Sequence, residues 1–345
     1  MNSDPRIAQI QDYLQRPALQ HLDVIRNRNF RITLLAQGEY NLNYHLSATD
    51  GGEELVFRIN IDTQINRSDQ IEYEYKALRL LRHSGVTPVP YWVDDSREVF
   101  DQGVLLMQFL PGEPLDYHRD RLNAAEVFAT IHQLPVPESE NHLIRETAPL
   151  SLIYEECAGL LDAYVESDLA DPDIRSYLLD IRNWADHNRH AERYYQQDPW
   201  NAIVNTEVNS GNFIVNRANA SLHLVDWEMP RWGDPSQDLA HFCSPLTTLW
   251  KTSFRLTPGQ KQEFIDFYKS KISNRHLRDT LEERLRLRDP FVYLRGISWS
   301  AMGWVAYQTE FSGMRNESTW QTLQRYMRLE FIRSLFDPIL KRSLV

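Results

Sequence analysis

The chain has 345 residues, of which 42% are hydrophobic and 25% charged, a composition typical of a globular protein with room for one or two cores. Its formal net charge of −11 argues against a nucleic-acid or anionic-membrane surface, where Lys and Arg would dominate, and leaves room for a cationic substrate. Cys157 and Cys243 are too few for a disulfide scaffold. With no signal-peptide pattern and no run near the roughly 20 apolar residues of a membrane span, we expect a cytoplasmic protein.

Residues 29–108 read as strands and turns around a single helix. The strand-like runs are NFRITLL, YNLNYHLSA, LVFRINI, VPYWVDD and GVLLMQFL. The Asp-Gly-Gly turn at residues 50–52 predicts a hairpin between the second and third runs. Apolar residues at three- and four-residue spacing predict a helix over 68–85, with Ser68 as its N-cap and Gly85 as its end.

After the Pro-Gly segment LPGEPL at residues 110–115, the apolar periodicity becomes helical. The predicted helical runs are 123–134, 150–166, 174–191, 260–286, 290–309 and 317–336. The sequence therefore predicts an α+β protein with a small β-rich lobe, a larger helical lobe and a ligand cleft between them. The predicted parts are an N-terminal helical segment (1–28), a nucleotide-binding N-lobe (29–110) and a C-lobe (111–345) that contains a catalytic hairpin at 204–228.

Polar groups suited to binding a metal or a proton flank that hairpin. Its strands, NFIVN and LHLVDW, are joined by the polar turn RANAS, which places Asn212 at one end and Asp226 at the other. An amide oxygen and a carboxylate suit Mg²⁺, and Glu207 on the preceding loop can orient or deprotonate an attacking hydroxyl. Any one of these residues alone is more often a turn former or a solvated cap, so the prediction rests on their joint spacing.

The spacing of these residues, followed by GDPSQDLA, resembles the aminoglycoside phosphotransferase and choline kinase family, part of the protein-kinase-like fold. In that family the first block usually reads His-Gly-Asp-x-x-x-x-Asn, the second Ile-Asp-Trp or Ile-Asp-Phe, and the third Gly-Asp-Pro-x-x-Asp-Leu-Ala. The third block is matched at Gly233, Asp234, Pro235, Asp238, Leu239 and Ala240. The resemblance implies ATP and Mg²⁺ as cofactors, with Asn212 and Asp226 as metal ligands and Asp238 as an anchor of the catalytic loop.

The N-terminal half extends the resemblance over about residues 30–245. It implies nucleotide contacts from the residues at the corresponding positions, which are Gly38, Arg58, Glu74, Met107, Gln108 and Leu110. Gly38 stands in the nucleotide loop, and Arg58 is the phosphate-binding base that Glu74 positions. Met107 precedes the adenine-binding connector, whose backbone runs from Gln108 to Leu110. The plainer readings are a turn at Gly38, a surface ion pair for Arg58 and Glu74, and a core role for Met107.

The sequence departs from the family pattern in two places. The usual His-Gly-Asp is Asn205-Thr206-Glu207 here, so the acid reaches one methylene further, and a shift of about 1 Å can cost a hundredfold in rate. Arg58 replaces the more usual Lys, as it does in choline-kinase-like members, and it can still bind phosphate oxygens with two donors.

The sequence therefore carries two hypotheses. The first is a small-molecule kinase that uses ATP and Mg²⁺, with Glu207 as base or orienter for an acceptor hydroxyl. The second is a nucleotide-binding regulatory protein that kept the fold and lost transfer, which the Asp-to-Glu change favours. A protein kinase is disfavoured because no Ala-Pro-Glu segment follows Asp226. The helical lobe carries no motif that identifies the acceptor, and Trp299 and Trp304 read as core residues of a buried amphipathic helix.

Overall fold

The computed structural model describes residues 4–38, 40–63, 67–309 and 316–344. The chain divides into two compact units that interleave along the sequence. The first unit comprises residues 1–114, 134–143 and 213–230, and the second comprises residues 115–133, 144–212 and 231–345. The domain boundaries expected after residues 28 and 110 stay a prediction.

Strands and helices alternate unevenly along the chain. The strands are β1 (Phe30–Gln37), β2 (Asn41–Ala48), β3 (Leu55–Asn60), β4 (Pro90–Asp94), β5 (Val104–Gln108), β6 (Glu113–Pro114), β7 (Ile144–Arg145), β8 (Ala202–Val204), β9 (Phe213–Asn216), β10 (Ser221–Leu224) and β11 (Arg231–Gly233). The α-helices are α1 (Pro5–Leu14), α2 (Gln70–Leu81), α3 (Tyr117–His132), α4 (Pro149–Val165), α5 (Pro172–Asn188), α6 (Arg193–Gln197), α7 (Ser236–Cys243), α8 (Pro245–Lys251), α9 (Pro258–Lys271), α10 (Arg275–Gln308), α11 (Glu317–Tyr326) and α12 (Leu329–Leu340). One-turn 3₁₀ helices occupy Arg189–Glu192 and Ser210–Asn212.

A five-stranded antiparallel sheet, in the order β1-β2-β3-β5-β4, forms the body of the first unit. The predicted β2–β3 hairpin is confirmed, and Gly51 supplies the positive φ of +78° that its turn requires. The central strand β3 is buried from Leu55 to Ile59, which explains why its sequence is nearly all apolar. Its one charged residue, Arg58, is therefore buried as well.

The predicted catalytic hairpin also forms, as β9 and β10 of a smaller sheet in the first unit. Its antiparallel register pairs Asn216 with Ser221 and Phe213 with Leu224. Strand β6, inside the Pro-Gly segment at residues 110–115, pairs with β9 on the side opposite β10. The loop that follows β10 carries Asp226.

Helix α2 forms where the apolar spacing predicts it, but its first turn differs from the expectation. The N-cap residue is Asp69 rather than Ser68, and the Asp69 side chain makes no capping hydrogen bond. Gly85 lies beyond the helix end, in a turn where its φ is +71°. The predicted Ser68 cap is thus wrong, whereas the apolar face of the helix is buried as expected.

The second unit is mainly helical and contains the short sheet β7-β11-β8. The predicted helix over 260–286 is wrong as a single element, because Ile272 adopts an extended conformation and Asn274 caps a new helix by accepting from Leu277 N–H. That helix, α10, runs for 34 residues and continues through Pro290. The run 317–336 is likewise divided into α11 and α12.

The two units have separate apolar cores, one led by strands and one by helices, which confirms the predicted α+β class. Trp304 packs partly buried against the helical core, and Trp299 meets Trp250 edge-on with ring centroids 5.1 Å apart. Neither tryptophan is fully buried, so the expected core role is confirmed only in part, by the packing of Trp304. In the described part of the chain, no helix combines the length and apolar character needed to cross a membrane.

Candidate active site

Arg58 lies in the sheet of the first unit with only 6% of its surface exposed, so its charge must be met by protein groups. Its Nη1 donates to Glu74 Oε1 at 2.6 Å and to Asp226 Oδ1 at 3.0 Å, and its Nε donates to Asn43 Oδ1 at 2.9 Å. Glu74, on α2, is 2% exposed. The predicted pairing of Arg58 with Glu74 therefore forms as a buried ion pair rather than the surface pair of the plainer reading.

The charges around this pair oppose the cost of burial. Burial would lower the pKa of the Arg58 guanidinium, but the carboxylates of Glu74, Asp226 and Glu228 raise it above its usual value, so Arg58 stays protonated. Burial raises the pKa of the Glu74 carboxyl, and Arg58 opposes that rise. A permanently charged guanidinium can bind anionic phosphate oxygens through its N–H donors.

Asp226 follows β10 and adopts a left-handed backbone conformation, with φ at +65°. Few non-glycine residues adopt this conformation, although Asp tolerates it better than most. The next residue, Trp227, is fully buried and donates Nε1–H to the Leu224 carbonyl at 3.0 Å, which fixes the turn. Asp226 Oδ1 accepts the hydrogen bond from Arg58 Nη1, and the Asp226 carboxylate remains partly exposed.

The sequence analysis missed Glu228, a second carboxylate in the same loop. Its side chain is 6% exposed and accepts from Asn41 Nδ2 at 2.6 Å, while the Asn41 Oδ1 accepts from Asn60 at 3.1 Å. The Glu228 main-chain carbonyl also accepts from Gln70 on α2. An acid two residues after the predicted metal ligand, in Asp-Trp-Glu, is a signal that could have identified it.

The other predicted nucleotide residues of the first unit lie on β1 and β5. Gly38 follows β1 and donates its N–H to the Asn41 carbonyl at 2.9 Å; a methyl group at Gly38 would meet that oxygen at an ordinary 3.6 Å. Met107 is buried in β5. Gln108 donates its N–H to the Val89 carbonyl at 2.8 Å, and its side-chain Oε1 accepts from Val89 N–H at 3.4 Å. Leu110 lies just beyond the strand and is half-buried.

Asp238 holds the loop that carries Glu207 in the second unit. Its Oδ2 accepts from Asn205 N–H and its Oδ1 from Thr206 N–H, both at 2.8 Å, while Asp238 itself is fully buried. His132 Nε2 lies 3.3 Å from Asp238 Oδ2, and its Nδ1 lies 3.0 Å from the Tyr268 hydroxyl. Asp238 thus has the anchoring contacts that the resemblance implies.

Thr206, the residue before Glu207, has a φ of +73°. This conformation is unusual for a β-branched residue and costs about 1–3 kcal/mol unless the surroundings enforce it. The Thr206 carbonyl lies 2.7 Å from His241 Nδ1, a contact that the sequence analysis did not foresee. Burial, together with the charge of Arg295, lowers the pKa of His241 to about 4, so the ring is neutral near pH 7.

Glu207 and Asn212 are linked through the main chain of this loop. Asn212 Nδ2 donates to the Glu207 carbonyl at 2.7 Å, and Glu207 N–H donates to Asn205 Oδ1 at 3.0 Å. Because the Asn212 amide nitrogen bonds to the backbone, its Oδ1 is left as the atom for a metal. An amide oxygen is a donor that a hard cation such as Mg²⁺ accepts. The expected pairing of Asn212 with Asp226 stays a prediction.

Comparisons with solved structures place these residues in a known fold. An ethanolamine kinase of Plasmodium vivax superposes with a TM-score of 0.64 at 12% identity, covering 97% of this chain and 91% of that one. A choline kinase of Cryptosporidium parvum gives 0.59 at 15% identity, covering 98% of each chain. A spectinomycin phosphotransferase in complex with ADP and spectinomycin gives 0.56 at 14% identity, covering 92% and 94%. At such identities the likeness shows a kinase-like fold.

The sequence itself identifies the family. No curated protein matches the chain. Residues 31–278, however, match the family described as the phosphotransferase enzyme family. That segment contains all the site residues predicted above, from Gly38 to Asp226. Because the match covers most of the chain, the predicted membership is confirmed: this protein belongs to the phosphotransferase enzyme family.

Proposed function

We propose that the protein is an ATP- and Mg²⁺-dependent phosphotransferase that acts on a hydroxyl group of a small molecule. The observation that carries the proposal is that the carboxylates of Glu74 and Asp226 hold the buried Arg58, together with family membership. A buried cation is costly, and two carboxylates hold this one in a fixed position. This arrangement supports a role in binding phosphate, because an ion pair that only stabilised the fold would not need a fixed, buried cation.

The nucleotide contacts follow from the first unit. Arg58 binds phosphate oxygens, and Glu74 fixes its direction by the 2.6 Å bond. Gly38 lies in the loop that approaches the phosphates, and the backbone from Gln108 to Leu110 contacts the adenine beside Met107. The ADP complex of the structurally similar spectinomycin phosphotransferase supports an adenine nucleotide as ligand.

The transfer step depends on positioning and charge. Asn212 and Asp226 supply oxygen ligands to Mg²⁺, which neutralises developing charge on the transferred phosphoryl group when it is bound. Glu207 accepts a hydrogen bond from the acceptor hydroxyl, directs its oxygen at the γ-phosphorus and takes its proton as the new P–O bond forms. The bond between the γ-phosphorus and the β,γ-bridging oxygen breaks in the same step, and ADP leaves with the bonding electrons. Main-chain bonds to Asn205 and Asn212 hold Glu207 on both sides.

A cationic acceptor fits the overall charge. With a net charge of −11, the protein attracts cations over a distance and repels competing anions. The solved structures it resembles include an ethanolamine kinase and a choline kinase, which supports a small alcohol with a positively charged nitrogen as the first class to test. Neutral and polyhydroxylated acceptors form the comparison group.

The test is an acceptor screen. Purified protein is incubated with ATP, Mg²⁺ and single alcohols from cationic, neutral and anionic groups, and the phosphorylated product is identified by mass spectrometry. We expect acceptor-dependent product that disappears when EDTA replaces Mg²⁺. ADP release without any phosphorylated acceptor would mean slow hydrolysis only.

A nucleotide-binding protein without transfer is the second candidate, favoured by Glu207 in place of the family Asp. It predicts that ATP binds while no acceptor is phosphorylated. Absence of both binding and transfer would contradict both candidates.

A further inference from the structure

Thr206 occupies the position at which the family pattern has glycine, the middle residue of His-Gly-Asp. Its φ of +73° is a conformation that glycine adopts freely and a β-branched residue rarely adopts. Thr206 is also 6% exposed, so solvent does little to compensate the strain. Something in the protein must therefore hold the Thr206 backbone in this conformation.

Two side chains of helix α7 hydrogen-bond to the Thr206 main chain, one at its N–H and one at its carbonyl. Asp238 and His241 stand three residues apart on α7 and so share one face of the helix. Asp238 Oδ1 accepts from Thr206 N–H at 2.8 Å, and His241 Nδ1 lies 2.7 Å from the Thr206 carbonyl oxygen. A carbonyl only accepts hydrogen bonds, so the neutral His241 ring carries its proton on Nδ1 and donates it.

The helix face is itself held in place. His132 on α3 and Tyr268 on α9, both buried, extend the contacts of Asp238 to two further helices. The donor and acceptor of the Thr206 residue are therefore fixed by one rigid element. Asp238 is already explained as the loop anchor, whereas the contact with His241 adds the carbonyl side, which a glycine at this position would not require.

We propose that His241 is a positioning residue for phosphoryl transfer, which holds Thr206 in its left-handed conformation and thereby directs the Glu207 side chain. This inference rests on the proposed function of Glu207. The Thr206 carbonyl belongs to the peptide bond that leads into Glu207, so a rotation of that peptide turns the Glu207 backbone. Since Glu207 is one methylene longer than the usual Asp, its starting direction governs where the carboxylate arrives.

The experiment combines His241 and Thr206 substitutions. The variants are His241→Ala, which removes the donor, His241→Asn, which keeps an N–H in nearly the same place, Thr206→Gly, which removes the strain, and the double variant Thr206→Gly/His241→Ala. Each is characterised by its kcat, its KM for ATP, its melting temperature and amide hydrogen exchange in the peptide 203–209. Hydrogen exchange does not require enzyme activity, so it tests whether His241 holds the Thr206 backbone even if no acceptor is found.

We expect His241→Ala to lower kcat by roughly tenfold to a hundredfold with little change in KM for ATP, the scale of a misplaced catalytic group. Exchange in residues 203–209 should rise in the same variant. His241→Asn should keep both values within a few-fold of the parent. In the double variant, kcat and protection from exchange should be largely restored, because glycine adopts the left-handed conformation without the His241 hydrogen bond.

Unchanged exchange in His241→Ala would overturn the inference, and so would a double variant that is worse than His241→Ala alone. If the parent is active, and His241→Ala changes the exchange as expected but has the same kcat as the parent, the positioning role is overturned. If the parent transfers phosphate to no acceptor while hydrogen exchange responds as expected, the proposed function is wrong, and the claim that His241 holds the Thr206 backbone is confirmed.

Discussion

Glu74 should affect stability as well as ligand binding, because the Arg58 guanidinium to which it bonds is buried in the sheet. Glu74→Ala leaves Arg58 with one fewer carboxylate partner in a region that water hardly reaches. We expect it to lower the free energy of unfolding by about 3 kcal/mol or more, the usual scale for breaking a buried pair. Urea denaturation measures this difference.

Helix α2 offers the matched control. Glu72 forms a half-exposed pair with Lys76 at 2.8 Å, two residues from Glu74 in sequence. Glu72→Ala should change stability by less than about 1 kcal/mol, since exposed pairs contribute little. Equal losses in the two variants would mean that the Arg58–Glu74 bond contributes nothing beyond an exposed pair.

Asp226 is predicted to act on ligand binding and not on folding. Asp226→Asn keeps an oxygen that can accept from Arg58 Nη1, so the fold should survive. ATP with Mg²⁺ raises the melting temperature of the parent by binding the folded state, and the Mg²⁺-dependent part of that rise should disappear in the variant. A variant that unfolds, or one that binds ATP with Mg²⁺ as well as the parent, would assign Asp226 to structure.

His241 predicts a pH dependence of stability. Its pKa in the folded protein is about 4, below the ordinary value of 6.5, because of burial and Arg295, with Asp238 and the Thr206 carbonyl acting in the opposite direction. The unfolded chain therefore binds a proton in a window where the folded chain does not. Its contribution to stability is complete above about pH 6.5 and is lost as the pH falls towards 4.

This pH dependence can be isolated by comparison with His241→Asn, which has no proton to bind at this position. Between pH 7 and pH 5 the parent should lose more free energy of unfolding than the variant does. Identical losses in denaturation curves at the two pH values would show that His241 titrates in the folded protein as it does in the unfolded chain.

Among the secondary-structure elements, the contact between β9 and the segment before β6 sets a steric limit. A methyl group on Gly112 would lie 2.5 Å from the Val215 carbonyl oxygen and 2.8 Å from Ile214 Cγ2, closer than atoms can approach. Gly112→Ala should therefore displace the β6–β9 pairing and destabilise the protein by about 1–3 kcal/mol, as overpacking does. Thermal unfolding gives the comparison.

Gly159 in α4 is the control for that substitution. A methyl group there would meet nothing within 4 Å, and alanine is favoured over glycine inside a helix by up to about 1 kcal/mol. Gly159→Ala should thus raise the melting temperature while Gly112→Ala lowers it. Shifts of the same sign would contradict the steric account of Gly112.

Strong local signals predict elements well, and their boundaries poorly. The Asp-Gly-Gly turn and the strand pattern on either side identified the β2–β3 hairpin, because both features act within a few residues. The boundary at Pro290 was wrong. Pro290 and Phe291 are buried in α10, and that packing outweighs the backbone hydrogen bond that proline removes.

Side chains that act through distant parts of the chain were harder to predict. The spacing around Glu207, Asn212 and Asp226 is readable because those residues lie close in sequence. The bond from His241 to the Thr206 carbonyl joins residues 35 positions apart, and the one from Asn41 to Glu228 joins residues 187 apart. Periodicity carries no information on such contacts, since they depend on how helices and loops pack.

In the molecule as a whole, the proposed transfer depends on Glu207, the acid that replaces the family Asp. The most direct test is the rate of phosphoryl transfer from ATP to an accepted alcohol, measured for the parent, Glu207→Gln and Glu207→Asp. If Glu207 serves as base or orienter, Glu207→Gln should lower kcat by about 10² to 10⁴ while nucleotide affinity hardly changes. A parent without transfer, a Gln variant indistinguishable from it and an Asp variant that gains transfer would contradict the account.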